Sequence, residues 1–80
     1  MKVRVLAFGI AKDIIGGLMV DVDLPDQVTT GNLKQLLELR YPRLRQLASY
    51  MVAVNNEYAS DKNVITERDE IAIIPPVSGG

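Results

Sequence analysis

The sequence contains no cysteine and no histidine among its 80 residues. Without cysteine, the chain can form neither disulfide bonds nor thiolate metal sites. Without histidine, it lacks the usual general base and the usual zinc ligand, which excludes a serine–histidine arrangement for nucleophilic catalysis. The remaining residues show no metal-ligand spacing. We therefore expect neither a bound metal nor a self-contained enzyme active site in this chain.

An excess of either charge and long apolar runs are also missing. Nine basic and ten acidic residues give a net charge of −1 at pH 7, which argues against binding nucleic acid through bulk charge. No apolar stretch approaches the length of a membrane span, and no secretory leader opens the chain. The length predicts one domain with a modest core. A cytoplasmic protein with no membrane association fits these features best.

Strand-like alternation surrounds one convincing helix. The helix is predicted over residues 32–41, with Thr29 or Thr30 as its N-cap and with Pro42 stopping it. A shorter helical turn is predicted over residues 10–15, before two glycines. Strands are predicted over residues 2–8, 18–24, 50–54, 57–59 and 70–74.

This order of elements predicts an α+β fold of the β-grasp type. A hairpin, a crossover helix and a last strand parallel to the first give a mixed four- to five-stranded sheet with one main helix packed on one face. The first and last strands then lie in the middle of the sheet. Residues 1–74 form the domain, and residues 75–80 form an extended C-terminal tail. A ferredoxin-like fold would need a second full helix, and a small barrel would not need this one.

The strand parity predicts an uncovered apolar face. If Val3, Val5, Ile71 and Ile73 face the helix, then the residues that face the other way are Leu6, Phe8, Ala72 and Ile74. No element remains to cover that side, and exposed apolar patches usually mark an interface. Single exposed apolar residues are nevertheless ordinary on protein surfaces.

Other charged and glycine-containing segments give weaker signals. The acidic residues before the last strand favour a solvated face that pairs with a basic partner, rather than a catalytic carboxylate pair. The arginines around the helix end more often serve the helix dipole and solubility than anion binding. Gly16-Gly17 is not a phosphate loop, because it lacks the Lys-Ser/Thr pair. The residues concerned are Asp61, Glu67, Asp69 and Glu70 among the acids, and Arg40, Arg43 and Arg45 among the arginines.

The chain ends on two glycines directly after two prolines. The prolines favour an extended exit from the domain, and six extended residues reach roughly 20 Å. Because the glycines carry no side chain, the terminal carboxylate can enter a slot that any Cβ would block. A frayed chain end or a cloning remnant would give a similar composition. The tail consists of Pro75, Pro76, Val77, Ser78, Gly79 and Gly80.

These segments together resemble the small, sulfur-carrier subunit of molybdopterin synthase, a ubiquitin-like β-grasp protein. The resemblance covers nearly the whole chain and rests on KVRVLAF at residues 2–8, VNNEY at residues 54–58 and, most specifically, DEIAIIPPVSGG at residues 69–80. Two departures are visible. Arg68 stands where that family tends to have glycine, and Lys12-Asp13 stands where Arg-Glu is common, which keeps the charge and loses bidentate pairing.

The resemblance implies a sulfur-transfer cycle. An activating enzyme that uses ATP and magnesium would adenylate the Gly80 carboxylate, and a sulfur donor would convert it to a thiocarboxylate. The carrier would then insert its tail into the large catalytic subunit, where sulfur passes to a pyranopterin precursor to build the molybdopterin dithiolene. The chain itself would bind no cofactor and would be a non-catalytic subunit.

The resemblance also implies an assembly and an interface. Two large and two small subunits would form a heterotetramer. The docking face would contain Leu6, Phe8, Tyr58 and Ile74, with Phe8 and Ile74 as anchors. Three alternatives remain open: sulfur delivery to thiazole synthesis, protein modification through an isopeptide bond, and a non-reactive β-grasp interaction module.

Overall fold

Two α-helices, one 3-10 helix and five strands form the part of the chain that the computed structural model describes, residues 1–47 and 50–75. Across these residues, no helix has the length and hydrophobicity needed to cross a membrane. The elements in chain order are β1 (Lys2–Ala7), α1 (Ile10–Ile15), β2 (Met19–Asp23), α2 (Thr30–Arg40), the 3-10 helix (Pro42–Gln46), β3 (Met51–Val54), β4 (Glu57–Tyr58) and β5 (Glu70–Ile74).

The strands form one mixed sheet in the order β2-β1-β5-β3-β4. β1 and β5 are parallel neighbours inside the sheet, whereas the β1–β2, β5–β3 and β3–β4 pairs are antiparallel. This topology confirms the predicted β-grasp arrangement with its first and last strands in the middle. The ferredoxin-like alternative fails in this part of the chain because α1 spans only six residues.

The core lies between the sheet and α2. Val3, Val5, Ile71 and Ile73 are at most 1% exposed and share one buried cluster with leucines of α2 and the 3-10 helix. The predicted inward face of β1 and β5 is therefore confirmed. Alternate residues of both central strands fill the core, because successive side chains of a strand point to opposite faces.

Helix α2 begins at a capping box. The Thr29 hydroxyl accepts a hydrogen bond from the Asn32 amide at 3.2 Å, and the Asn32 side-chain oxygen accepts one from the Thr29 amide at 3.3 Å. These reciprocal bonds satisfy amide groups that no helical carbonyl can reach, so the helix starts at Thr30 rather than at Asn32. It ends at Arg40, and Tyr41 is the C-cap that precedes Pro42.

The segment after α2 differs from the predicted connector. Residues Pro42–Gln46 form a 3-10 helix that starts with proline and buries Leu44 completely. Proline suits the first position of a helix because its missing N–H has no partner there. The burial of Leu44 in the core stabilises this turn, which the local pattern did not resolve as helical.

The predicted strand ends need small corrections. Five residues assigned to strands by pattern lie just outside them: Phe8, Leu18, Leu24, Tyr50 and Ala59. Four of them still take part in backbone hydrogen bonds, such as Ala59 N–H to the Val52 carbonyl at 3.0 Å. The predicted Asn55-Asn56 turn is confirmed, since both residues have left-handed φ angles of 54° and 68°.

Candidate functional site

The sheet face opposite α2 carries a continuous row of side chains across all five strands. The register pairs Met19 with Leu6, Leu6 with Ala72, Ala72 with Ala53, and Ala53 with Tyr58. Met19, Leu6, Ala72 and Ala53 each stand next to a residue that packs in the core, and Tyr58 lies opposite Ala53 in the register, so all five share the outer face. All five are apolar or aromatic, and the row therefore forms an apolar strip across the sheet.

A second apolar row lies nearer the end of β5. Met51 pairs with Ile74 in the register, and Phe8 follows the last residue of β1, with its amide donating to the Ile73 carbonyl at 3.4 Å. Phe8 is 47% exposed and Met51 is 45% exposed. The two rows together make an apolar surface, exposed or half-buried except at the buried Ala53, that we call the open face: Leu6, Phe8, Met19, Met51, Ala53, Tyr58, Ala72 and Ile74.

The four residues predicted at the interface lie together on the open face. Leu6, Phe8, Tyr58 and Ile74 all line one shallow depression of about 290 Å³. Sequence reasoning missed Met19, Met51 and Ala53, although Met19 stands two residues before Asp21, so strand alternation places the two on the same side of the sheet. These methionines add flexible apolar surface that can adapt to a partner.

The other end of the open face is charged. Arg4 pairs in register with Asp21 on one side and with Glu70 on the other, and Arg4 Nε lies 4.0 Å from Asp21 Oδ1. Because both partners of this ion pair are exposed, it contributes at most about 1 kcal/mol to folding. Glu70 opens β5 and Ile74 closes it, so the outer surface changes from charged to apolar along the direction in which the chain leaves the sheet.

The chain leaves the sheet beside Phe8. β5 ends at Ile74, and the ring of Pro75 lies against Gly9, where an ideal Cβ would be 3.0 Å from Pro75 Cγ. The predicted tail therefore starts next to the apolar end of the open face. Its remaining residues, Pro76, Val77, Ser78, Gly79 and Gly80, lie outside the described residues. The role of Gly80 stays a prediction.

The four acidic residues of the loops do not form one cluster. Asp61 accepts a hydrogen bond from the Lys34 ammonium at 3.2 Å in a groove beside α2. Asp69 accepts bonds from the Thr66 amide at 2.8 Å and from the Asn55 side-chain amide at 2.9 Å. The Thr66 backbone bond is the main cause that lowers the pKa of Asp69. Asp61 and Asp69 therefore hold loops in place, which is a structural use that local sequence did not reveal.

No metal site is formed by the described residues. Within 1–47 and 50–75, no group of three or more aspartate or glutamate side chains converges on a point where an ion would be held. Among the described residues, the Tyr50 hydroxyl donates a hydrogen bond to Glu38 Oε2 at 2.6 Å. Burial and this carboxylate raise the pKa of Tyr50. The hydrogen bond between Tyr50 and Glu38 joins the residue before β3 to α2. It lies on the covered side of the sheet, away from the open face.

The comparison with known protein families decides the family. The family model described as the ThiS family matches residues 5–80. The chain belongs to the ThiS family. A molybdopterin synthase sulfur carrier subunit of Dictyostelium discoideum is 44% identical over 81 residues, covering 96% of this chain and 94% of the relative. The protein of the same name from Arabidopsis thaliana is 37% identical, covering 100% of this chain and 84% of the relative.

Solved structures support the same fold. SAMP1, small archaeal modifier protein 1, from Haloferax volcanii matches with a TM-score of 0.85 and 26% identity, and the match covers 100% of both chains. The family resemblance seen in the sequence is thus confirmed by relatives of full length. The ThiS-family chain places its open face and its tail exit side by side, which is the geometry that a function must explain.

Proposed function

We propose that this ThiS-family chain is the sulfur carrier subunit of a molybdopterin synthase. The observation that carries the proposal is the position of the tail exit. The apolar end of the open face, with Phe8 and Ile74, lies directly beside Pro75, from which the Gly-Gly terminus continues. A partner that docks on this face would receive the tail. The relatives named as molybdopterin synthase sulfur carrier subunits support this reading.

The chemistry belongs to the terminal carboxylate. A free carboxylate is a poor acyl donor, so an activating enzyme first transfers AMP from magnesium-bound ATP to the Gly80 carboxylate and releases pyrophosphate. A donor that delivers sulfur at the oxidation level of sulfide then displaces AMP and leaves a thiocarboxylate. In the large subunit, the thiocarboxylate sulfur bonds to the pyranopterin precursor, and water then cleaves the acyl–sulfur bond, so that the sulfur stays on the precursor and Gly80 returns to a carboxylate. The thiocarboxylate supplies the sulfur nucleophile that a chain without cysteine otherwise lacks.

The folded domain that precedes the tail provides the surface on which partner proteins dock. Phe8 and Ile74 are the proposed anchors, because aromatic and large aliphatic residues near the centre of an interface carry most of its binding energy. Leu6 and Tyr58 border them in the same depression. The activating enzyme and the large subunit both need Gly80, so both dock on this face in turn. In the assembled synthase, a dimer of large subunits carries one small subunit at each end.

Intact-mass measurement tests the proposal. Co-produced with its activating enzyme and a sulfur source, the chain should gain about 16 Da, because one oxygen is replaced by sulfur. A chain lacking Gly80 is the control and should keep its mass. An unchanged mass in the full chain, or the same gain in the shortened chain, would refute the proposed carrier role.

A second candidate function is protein modification. The likeness to small archaeal modifier protein 1 favours it. In that case a lysine amine of a target protein would attack the Gly80 adenylate, forming an amide bond and releasing AMP. Proteomic digestion distinguishes the two functions. A modifier leaves remnants of its C-terminus on lysines of other proteins, whereas a dedicated carrier leaves none.

A further inference from the structure

Gly9 has a backbone conformation that its place between β1 and α1 requires. Its φ is 57° and its ψ is −134°, a combination that residues with a side chain adopt only at a cost in energy. Its carbonyl accepts a hydrogen bond from the Lys12 amide at 3.1 Å, in the first turn of α1. The turn geometry thus explains why glycine is favoured here, but it does not explain the contact that Gly9 makes outside the turn.

That contact is with Pro75, the first residue after β5. A Cβ on Gly9 would lie 3.0 Å from Pro75 Cγ and 4.0 Å from Pro75 Cδ, so the proline ring occupies the space that a side chain would need. The ring is closed on its own backbone, and it cannot rotate away as a flexible side chain would. The Phe8 amide donates a hydrogen bond to the Ile73 carbonyl at 3.4 Å, and this bond keeps the ends of β1 and β5 together. A side chain at position 9 would therefore require the Pro75 ring to shift by a few tenths of an ångström, and the closed ring would pass that shift to the Pro75 backbone.

We propose that Gly9 is a positioning residue for the C-terminal tail. Because Gly9 has no side chain, the Pro75 ring packs directly against it. This contact sets the direction in which the chain leaves β5. The inference rests on the proposed function, because the direction matters only if Gly80 must reach a partner's active site. An extended arm of about 17 Å that tilts by about 10° at its base moves its end by about 3 Å. A misplacement of about 1 Å at a reacting centre can cost about a hundredfold in rate.

The test compares chains that carry a thiocarboxylate at Gly80 introduced by intein chemistry, which makes the assay independent of the activating enzyme. We expect Gly9→Ala to lower the rate of sulfur transfer in the large subunit about three- to tenfold at saturating carrier. Its affinity for the large subunit should stay within about twofold of the original, because Phe8 and Ile74 are unchanged. Pro75→Ala removes the ring atoms that the new Cβ would meet. The double variant should therefore transfer sulfur at the rate of Pro75→Ala alone.

Substitutions at two further glycines distinguish the effect of a clash with Pro75 from the effect of backbone strain. Gly16 also has a left-handed φ, of 94°, but an ideal Cβ there meets nothing within 4 Å, so Gly16→Ala introduces strain without a clash. An ideal Cβ on Gly17 meets only the Met19 carbonyl oxygen at an ordinary 3.8 Å, so Gly17→Ala introduces neither. We expect Gly16→Ala to have a lower midpoint of thermal unfolding than the unsubstituted chain. Both Gly16→Ala and Gly17→Ala should transfer sulfur at the rate of the unsubstituted chain, provided that every assay is run below the unfolding midpoint of each variant.

The outcomes separate this inference from the proposed function. If the unsubstituted thiocarboxylated chain transfers no sulfur, the proposed function is wrong. If that chain is active and Gly9→Ala transfers sulfur equally fast, the positioning role is refuted. A double variant slower than Pro75→Ala alone, or a matching loss in Gly16→Ala, would also refute it, since strain alone would then account for the loss.

Discussion

Phe8 is an aromatic side chain that stands 47% exposed at the apolar end of the open face. Substitution with arginine should change the free energy of unfolding by no more than about 0.5 kcal/mol, as is usual for surface positions. A buried arginine at the centre of the docked interface should weaken binding of the large subunit by about 2 kcal/mol or more, which is about thirtyfold. Isothermal titration calorimetry with the purified large subunit measures this loss.

Leu39→Arg is the matched control for Phe8→Arg. Leu39 is 76% exposed on α2, which packs on the opposite face of the sheet, and it undergoes the same change from apolar to charged. It should bind the large subunit as the original chain does. Equal binding by the Phe8 variant, or an equal loss in the Leu39 variant, would place the interface elsewhere.

Tyr50 provides a residue-scale test of the covered side. Burial, then the hydrogen bond to Glu38, raises the pKa of this phenol above its ordinary value. Below the ordinary pKa near 10, the folded and unfolded chains both keep the proton, so the stabilising contribution is complete. It is lost as the pH rises, because the unfolded chain releases the proton first.

Absorbance titration of tyrosinate follows this group among the three tyrosines of the chain. Tyr50→Phe should remove the component that ionises last. Glu38→Gln should lower the pKa of Tyr50 only in part, since burial is the larger cause. A late component that survives in Tyr50→Phe would show that another tyrosine is responsible.

At the level of secondary-structure elements, the features that depend on neighbouring residues could be predicted from the sequence. The alternation in β1 and β5 predicted which side chains enter the core, because a wrong parity would expose Val5 and Ile73. The Asn55-Asn56 turn was predictable because asparagine tolerates left-handed dihedrals. The start of α2 was predicted two residues late, since the reciprocal bonds between Thr29 and Asn32 extend the helix toward the N-terminus.

Features that depend on distant parts of the chain were not predictable in this way. The 3-10 helix after α2 depends on the burial of Leu44 against other elements. The contact between Pro75 and Gly9 joins residues that are 66 positions apart in the sequence, and nothing in the sequence around either residue indicates it. Met51 joins the open face only because β3 pairs with β5 in a particular register. The tertiary pairing of strands therefore completes a site that the sequence indicated only in outline.

The loop before β5 is held by one hydrogen-bonded element. Asn55 donates to Asp69 and accepts from the Glu70 amide at 3.0 Å, while Asp69 accepts from the Thr66 amide. The lowered pKa of Asp69 means that the unfolded chain binds a proton more readily than the folded chain. The stabilising contribution is therefore present above the ordinary pKa near 3.9 and is lost as the pH falls through the lower folded value.

Asp69→Asn tests this element. The variant should be less stable than the original chain at neutral pH, because it loses the charge that strengthens these bonds. The difference should shrink as the pH falls below about 4. Urea unfolding at a series of pH values measures it, with the exposed Asp23→Asn as the matched control. A difference that is constant across this range would mean that the ionised carboxylate is not involved.

At the scale of the whole molecule, α2 is the main helix that covers one face of the sheet, and no element among the described residues packs on the other face. The two central strands, β1 and β5, supply both the inward core residues and the outward apolar residues. The same strand that fills the core therefore also delivers the chain to the tail exit. This arrangement connects folding to docking, because loss of the β1–β5 pairing would remove the open face and misplace the tail together.

One open face and one tail can serve only one partner at a time. We therefore expect the activating enzyme and the large subunit to compete for the carrier, with each binding curve shifting in proportion to the concentration of the other. Fluorescence anisotropy of a carrier labelled at Lys34, on the helix side, measures the competition. Phe8→Arg should weaken both complexes, while Leu39→Arg should weaken neither. A stable ternary complex on size exclusion would show that the partners hold different surfaces, and that the open face alone does not bring Gly80 to both.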